Sequence, residues 1–283
     1  LAPAAVFNLV ESLAGSDRLQ TIVPLLLEEW NIPFTGNGSA AMLLSNDKIA
    51  SKRRLAEFGL PVPACVWIDA RGRTRVLPED LNADARGDWI LKAAESHASL
   101  FLDDSSILRN ATGDEAARRV EAASRERGQP FFAERFIDGR EFNLSILEGA
   151  DGLPATLPAA EINFAALPPG RPRLVGYSAK WDANSAEYHA TPRTFDLRDG
   201  DQPLVEELRR LSLAVWRAMG LSGYARVDFR VDAAGRPFIL EANANPCLSP
   251  DAGFAAAAAR GGLEYAAMIG KILQTAVGVT SPE

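Results

Sequence analysis

The chain has 283 residues, 47% hydrophobic and 24% charged, with a net charge of −7 and a pI near 5.1. This is globular composition, with length for about two domains around a sizeable core. The acidic balance argues against a general nucleic-acid binder or a polybasic membrane anchor, and no apolar run is long enough to span a bilayer. Neither nucleic acid nor membrane is thus expected as a partner, and the acidic balance alone says nothing about substrate. Cys65 and Cys247 lie far apart without metal-ligand spacing, there is no signal peptide, and a reducing cytoplasm fits.

In chain order, residues 6–10 (VFNLV) read as an interior strand and residues 17–30 as an amphipathic helix, followed by a short strand and glycine turn in IPFTGNG (32–38). Strand, helix, strand is the grammar of an open α/β sheet. With Leu1 in place of Met and so few strands, the expectation is a truncated domain lacking its native N-terminus. A helix is expected over 46–58, capped by Ser45 and stopped by Gly59 and Pro61. Strands at 62–68 and 89–93 flank a charged turn. Thr112 and Glu115 form a capping-box pattern that starts a helix to Arg127. Strands at 131–136 and 141–147 flank the turn Asp138-Gly139. A proline-containing loop stretch (149–170), a strand near 174–181 and a helix marked by Leu204, Leu208, Leu211 and Val215, closed by Gly220, come next. After a hairpin, alanine-rich helices over 253–260 and 263–276 end the chain. The later part is α+β material with antiparallel sheets.

The hairpin ARVDFRVDAAGRPFILEANANP (225–246) carries a chemical puzzle. Val227, Phe229 and Val231 alternate with Arg226, Asp228, Arg230 and Asp232, and Gly235 suits the turn. On the return strand, Phe238, Leu240 and Ala242 alternate with Ile239, Glu241 and Asn243. If Asp232 pairs with Pro237, Asp228 faces Glu241 and Arg226 faces Asn243. Opposed like charges destabilise a ladder. A hard divalent cation reverses that sign, and two carboxylates with an amide oxygen are ligands Mg²⁺ accepts. The alternative is a solvated acidic face.

Other polar residues interrupt apolar strands. Lys92 in DWILKAA (88–94) is a phosphate ligand or a lysine snorkelling to solvent. Lys48, in the first turn of its helix, opposes the helix dipole, which points to an anionic ligand; the alternative is a surface lysine. Lys180 is a ligand or a cation stacked on Trp181. In FFAERFIDGREFNLSIL (131–147), Glu134 interrupts a strand. Phe136 and Ile137 offer apolar surface and free backbone groups that could hold a planar base, and Glu141 could accept from ribose hydroxyls. The alternative is an ordinary hairpin with edge carboxylates.

Lys48, Lys92, ERFIDGREF, Lys180, RVDF and EANANP, in that order along essentially the whole chain, resemble the ATP-grasp superfamily and within it the D-alanine–D-alanine ligases. The stretch IPFTGNGSAAMLLSNDKIASKRRLAEFGLPVP (32–63) looks like the ligases' domain junction and first central helix. The resemblance implies an ATP-grasp fold, with two α+β subdomains clasping ATP behind a truncated Rossmann-like domain, divided at 1–45, 46–133 and 134–283. It implies that Lys48, Lys92 and Lys180 contact phosphates, that Glu134, Phe136 and Ile137 hold adenine above Leu240, and that Glu141 binds the ribose. Asp228, Glu241 and Asn243 would hold one or two Mg²⁺ ions, with Mn²⁺ acceptable. Arg226, with Lys180, would stabilise the transferred phosphoryl group and a tetrahedral intermediate. The implied chemistry joins a carboxylate to an amine through an acylphosphate, and the resemblance allows a homodimer.

Three stretches depart from the pattern. The loop expected over the phosphates, ESHASLFLDD (95–104), has no glycine; Ser99 is its one retained hydroxyl, and His97 stands where small residues are expected. Trp181 replaces a tyrosine. NPCLSPDAGF (245–254) places Cys247, expected as a buried thiol, after the proline and lacks the hydroxyl run expected for the acceptor's carboxylate. The substrates are thus expected to be amino acids or similar small acids, not necessarily D-alanine. Alternatives are a nucleotide-binding or regulatory protein that has lost ligation, and an ATP-grasp kinase that forms no amide.

Overall fold

The computed structural model describes residues 3–95, 101–176, 179–180, 182 and 184–277. The strands are β1 (Cys65–Ile68), β2 (Thr74–Leu77), β3 (Gly87–Ala93), β4 (Ile107–Ala111), β5 (Phe131–Arg135), β6 (Arg140–Glu148), β7 (Pro154–Thr156), β8 (Ala160–Ile162), β9 (Arg193–Thr194), β10 (Tyr224–Val231) and β11 (Pro237–Asn243). They form two antiparallel sheets. One runs β2-β1-β5-β3-β4; the other runs β11-β10-β6-β8-β9, with β7 also on β6.

Each sheet is backed by one long helix. Gly113–Arg127 starts at the expected capping box, where the Thr112 hydroxyl accepts from the Glu115 N–H and the Glu115 carboxylate accepts from the Thr112 N–H. Its Ala116, Ala117, Val120 and Ala123 pack on Val66, Trp89 and Leu91 of the first sheet. Gln202–Met219 places Leu208, Leu211 and Val215 against Phe142, Leu144, Val227, Phe229 and Ile239 of the second. Each such leucine contributes about 1.5–3 kcal/mol by leaving water. Gly220, left-handed at φ 63, ends this helix.

Several expectations are corrected. Residues 6–10 form no strand; Val6 makes a single parallel bridge to Phe34. The helix expected over 46–58 is two helices, Ser39–Asn46 and Lys48–Glu57, broken at Asp47. Asp47, not Ser45, is the N-cap, accepting from the Ile49 and Ala50 amides at 3.0 and 2.9 Å. The Ser45 hydroxyl is instead spent on the Ala242 carbonyl at 2.7 Å. The charged turn contains β2, and the loop stretch contains β7 and β8. Among the described residues of 174–181 there is no strand: residues 171–176 are irregular, and Ala179 and Lys180 are helical.

β5 and β6 are not a hairpin. They lie in different sheets, so residues 136–139 connect the two halves. Gly139 is required there, because a Cβ would lie 1.9 Å from the Val231 carbonyl oxygen. Helix Lys48–Glu57 packs on helix Gln202–Met219 and on β11, which aims its first residue into the cleft between the sheets. Among the described residues no helix is long and apolar enough to cross a membrane.

Candidate active site

A cleft opens between the sheets. It brings together Lys48, Lys92, Glu134, Phe136, Ile137, Glu141, Lys180, Asp228, Leu240 and Glu241. Arg226 and Asn243 stand opposite each other at the end of the same hairpin. Ser99 lies outside the described residues, as do His97 and Trp181.

The hairpin register at the site is the expected one, with Arg226 opposite Asn243 and Asp228 opposite Glu241. Toward the turn it differs by one: Val231, not Asp232, pairs with Pro237, and a bulge after Asp228 absorbs the extra residue, Leu240. A bulge interrupts strict alternation. Ile239 and Ala242 can therefore both enter the core while Leu240 and Glu241 both line the cleft. Simple alternation had put Leu240 and Glu241 on opposite faces.

The carboxylates differ in their surroundings. Asp228 is 5% exposed and accepts from Arg226 Nε and Nη2 at 2.7 and 2.8 Å and from Asn143 Nδ2 at 2.7 Å. Burial pushes the Glu241 carboxyl up, but Lys48, Lys180, Lys92 and Arg226 together pull it well below the usual carboxylate range. Burial lowers the Lys48 ammonium; Glu241, 3.9 Å away, opposes this, and Lys92 and Lys180 add to the lowering. The cleft lining sets Lys48, Lys92, Arg135, Lys180 and Arg230 against Glu134, Glu141, Asp228 and Glu241, a small positive excess that phosphate oxygens would offset.

Glu134 is 1% exposed and held between two lysines, with Lys92 at 2.5 Å and Lys52 at 2.6 Å. Lys52, itself 2% exposed, also donates to the Leu240 carbonyl at 3.0 Å, joining the two sheets. Sequence reasoning missed Lys52. Its signal was position: one helical turn after Lys48, on the same face. Also missed were Asn143 and Arg230. The Arg230 guanidinium, 3% exposed, pairs with Glu141 at 2.7 Å and reaches the carbonyls of Ile137, Gly139 and Arg173. The connector's backbone is less free than expected, since the Phe136 N–H donates to Asp88 O at 2.9 Å. Cys247 is not buried as expected; it is half-exposed beside Ser249, and the buried thiol is Cys65.

Among the described residues there is no cluster of three or more acidic, histidine or cysteine side chains. The Asp228 and Glu241 carboxylates with the Asn243 amide oxygen nonetheless fit a hard cation that completes its shell with water and phosphate oxygens. Asn243 Oδ1 accepts from its own loop, at Asn245 N, 2.9 Å away.

Residues 105–274, more than half of the chain, match the family model for the D-Ala–D-Ala ligase C-terminus. A D-alanine–D-alanine ligase of Methylococcus capsulatus is 31% identical over 95% of this chain and 78% of its own. The chain belongs to the D-alanine–D-alanine ligase family. An uncharacterized protein of Sinorhizobium fredii is similar at 30% identity, over 96% of this chain and 74% of that one. The fold agrees: the D-alanine–D-alanine ligase of Bacillus anthracis, solved in complex with ATP, superposes with a TM-score of 0.65 at 23% identity, covering 90% of this chain and 74% of that one. The two sheets with their cleft are thus the ATP-grasp fold expected from the motif order, and the protein is an enzyme of the ADP-forming ligase class to which the family belongs.

Proposed function

We propose that this family member joins a small carboxylic acid to an amine using ATP, through an acylphosphate. One observation carries the reading. Lys48, Lys92 and Lys180 converge on a cleft whose paired strands present Asp228 opposite Glu241. That is a cationic cradle for a triphosphate beside a pair of carboxylates suited to a metal.

ATP lies between the sheets, its phosphates against the three lysines. The base rests on Leu240 beside Glu134, Phe136 and Ile137, and the ribose hydroxyls meet Glu141. That the Bacillus anthracis enzyme of the same fold was solved with ATP supports the use of ATP. Asp228, Glu241 and Asn243 would hold Mg²⁺, which would supply charge neutralisation of the phosphates. A carboxylate oxygen of the acid attacks the γ-phosphorus and ADP leaves. The amine nitrogen then attacks the acyl carbon, phosphate leaves and an amide remains. Arg226 and Lys180 stabilise the charge on the transferred group and on the tetrahedral intermediate, acting by position and electrostatics. The chain is organised as segments 1–45, 46–135 and 140–283, the boundary expected at 133/134 moving to the 136–139 connector because β5 runs to Arg135 within the first sheet, and the enzyme works in the cytoplasm as a homodimer.

The test is phosphate release from Mg²⁺-ATP with D- and L-amino acids, singly and in pairs, with mass spectrometry of products. ADP, phosphate and one amide in equal amounts are expected. Phosphorylated acid without amide would make the protein a kinase, and ATP binding without turnover would mark a binding protein.

A further inference from the structure

Among the described residues Arg230 is the only buried arginine. A cation taken out of water is costly unless its partners are well placed, and an apolar side chain often serves packing as well or better. Arg230 nevertheless stands two residues beyond Asp228 on β10 and lines the cleft with it. Neither the phosphate nor the metal reading uses it.

Its partners come from three separate segments, and each borders the nucleotide space. Nη1 reaches the Ile137 and Gly139 carbonyls of the connector, at 3.5 and 3.4 Å. Nη2 donates to the Arg173 carbonyl, in the irregular stretch whose Leu174 and Val175 line the cleft. It also pairs with Glu141 Oε2 on β6 at 2.7 Å. The Phe136 and Phe164 rings lie 5.9 and 5.2 Å from the guanidinium, within the range at which an aromatic ring attracts a cation. A guanidinium carries five N–H donors in one fixed plane, so it can hold several carbonyls and a carboxylate in a single arrangement. Lysine offers a point charge for this task, and methionine none.

Glu141 is the group that this arrangement sets. It stands directly opposite Arg230 in the ladder between β6 and β10. Its Oε2 is held by the guanidinium, while its Oε1 accepts no hydrogen bond among the described residues. A carboxylate with one oxygen fixed and the other open is prepared to receive a hydroxyl without first losing its freedom. We propose that Arg230 is a positioning residue for the nucleotide: it holds Glu141 with one oxygen open to a ribose hydroxyl, and so makes the site selective for ribonucleotides over deoxynucleotides. This rests on the nucleotide placement of the ligase reading. Arg230 acts through Glu141 and touches no reacting atom.

The experiment titrates the full chain, with Mg²⁺, with ADP, 2′-deoxy-ADP and 3′-deoxy-ADP in a calorimeter. These need no amino acid and undergo no turnover. Wild type should bind ADP about tenfold or more tighter than at least one deoxynucleotide, as for a hydrogen bond to a charged group. Arg230→Met should shrink that ratio to about threefold or less. Arg230→Lys, which returns the charge beside Glu141 but not the fork, should recover part of it. A partly unfolded variant weakens every nucleotide by the same factor and leaves the ratio alone, so the ratio reports on Glu141 and not on the fold. In Glu141→Ala the ratio should already be lost, and adding Arg230→Met should change it no further. A wild-type ratio in Arg230→Met, a further change in the double variant, or equal binding of all three nucleotides by wild type would overturn the proposal and leave the ligase reading standing. Failure of wild type to bind ADP at all would overturn the nucleotide reading itself, and the proposal with it.

Discussion

Glu134 is a carboxylate taken out of water and held by two ammonium groups. Its carboxyl is pushed up by burial, but Lys52 and Lys92 together bring it below its ordinary value of 4.5. A carboxylate lowered by folding contributes stability that is fully present above the unfolded value and is lost as pH falls through the folded one. Urea unfolding should therefore show wild type losing stability below about pH 4.5, with Glu134→Gln losing that part of the pH dependence. Lys52→Met leaves a buried charge half compensated and should cost about 3–5 kcal/mol at pH 7. A loss under 1 kcal/mol would mean that water reaches Glu134. Glu241→Gln removes a metal-facing charge without removing volume. It should abolish Mg²⁺-dependent ATP turnover while leaving circular dichroism unchanged, and full activity would remove the metal assignment. Asp228 and Glu241 were legible in the sequence because alternation across a short turn nearly fixes their register. Lys52 was not, since a buried lysine looks like a surface one until its carboxylate is brought to it from 82 positions downstream.

At the scale of elements, local signals with their own mechanism were readable and long-range ones were not. The capping box at Thr112 and the left-handed Gly220 end their helices through bonds made within a few residues, so the sequence contains the whole cause. The division of β5 and β6 between two sheets has no local cause. Two strands around Asp138-Gly139 look like a hairpin, and only contacts from β3 and β10 pull them apart. The bulge beside Leu240 is equally silent, because ILEAN fits either alternation. Gly139 tests the connector. With the Val231 oxygen 1.9 Å from where its Cβ would be, Gly139→Ala must displace backbone. It should lower thermal stability and raise the KM for ATP together; a raised KM with stability intact would confine its role to the nucleotide.

Each of the two sheets has its own packed core, and charge is concentrated in the cleft between them. A ligand touching both halves binds only the folded state. Mg²⁺-ATP at a hundred times its Kd should therefore add about 2.7 kcal/mol to unfolding stability. Thermal melts should show a larger upward shift with Mg²⁺-ATP than with ATP alone; equal shifts would mean that the metal contributes nothing at this site. Family and architecture were legible at this scale because six spaced motifs constrain one another. The expected first strand was not, since one bridge from Val6 is all that its residues achieve.

Lys52 gives the molecule a mechanical property. The covalent connector at 136–139 begins two residues after Glu134, and Lys52 ties that same Glu134 to the Leu240 carbonyl of the opposite half. These ties lie close together, and the Ile239 amide adds another, donating to the Pro61 carbonyl at 2.8 Å. Elsewhere the halves meet through an exposed pair, Arg171 with Asp104 at 2.9 Å, which water and salt weaken. The cleft is thus clamped by buried bonds around Glu134 and only latched at its surface.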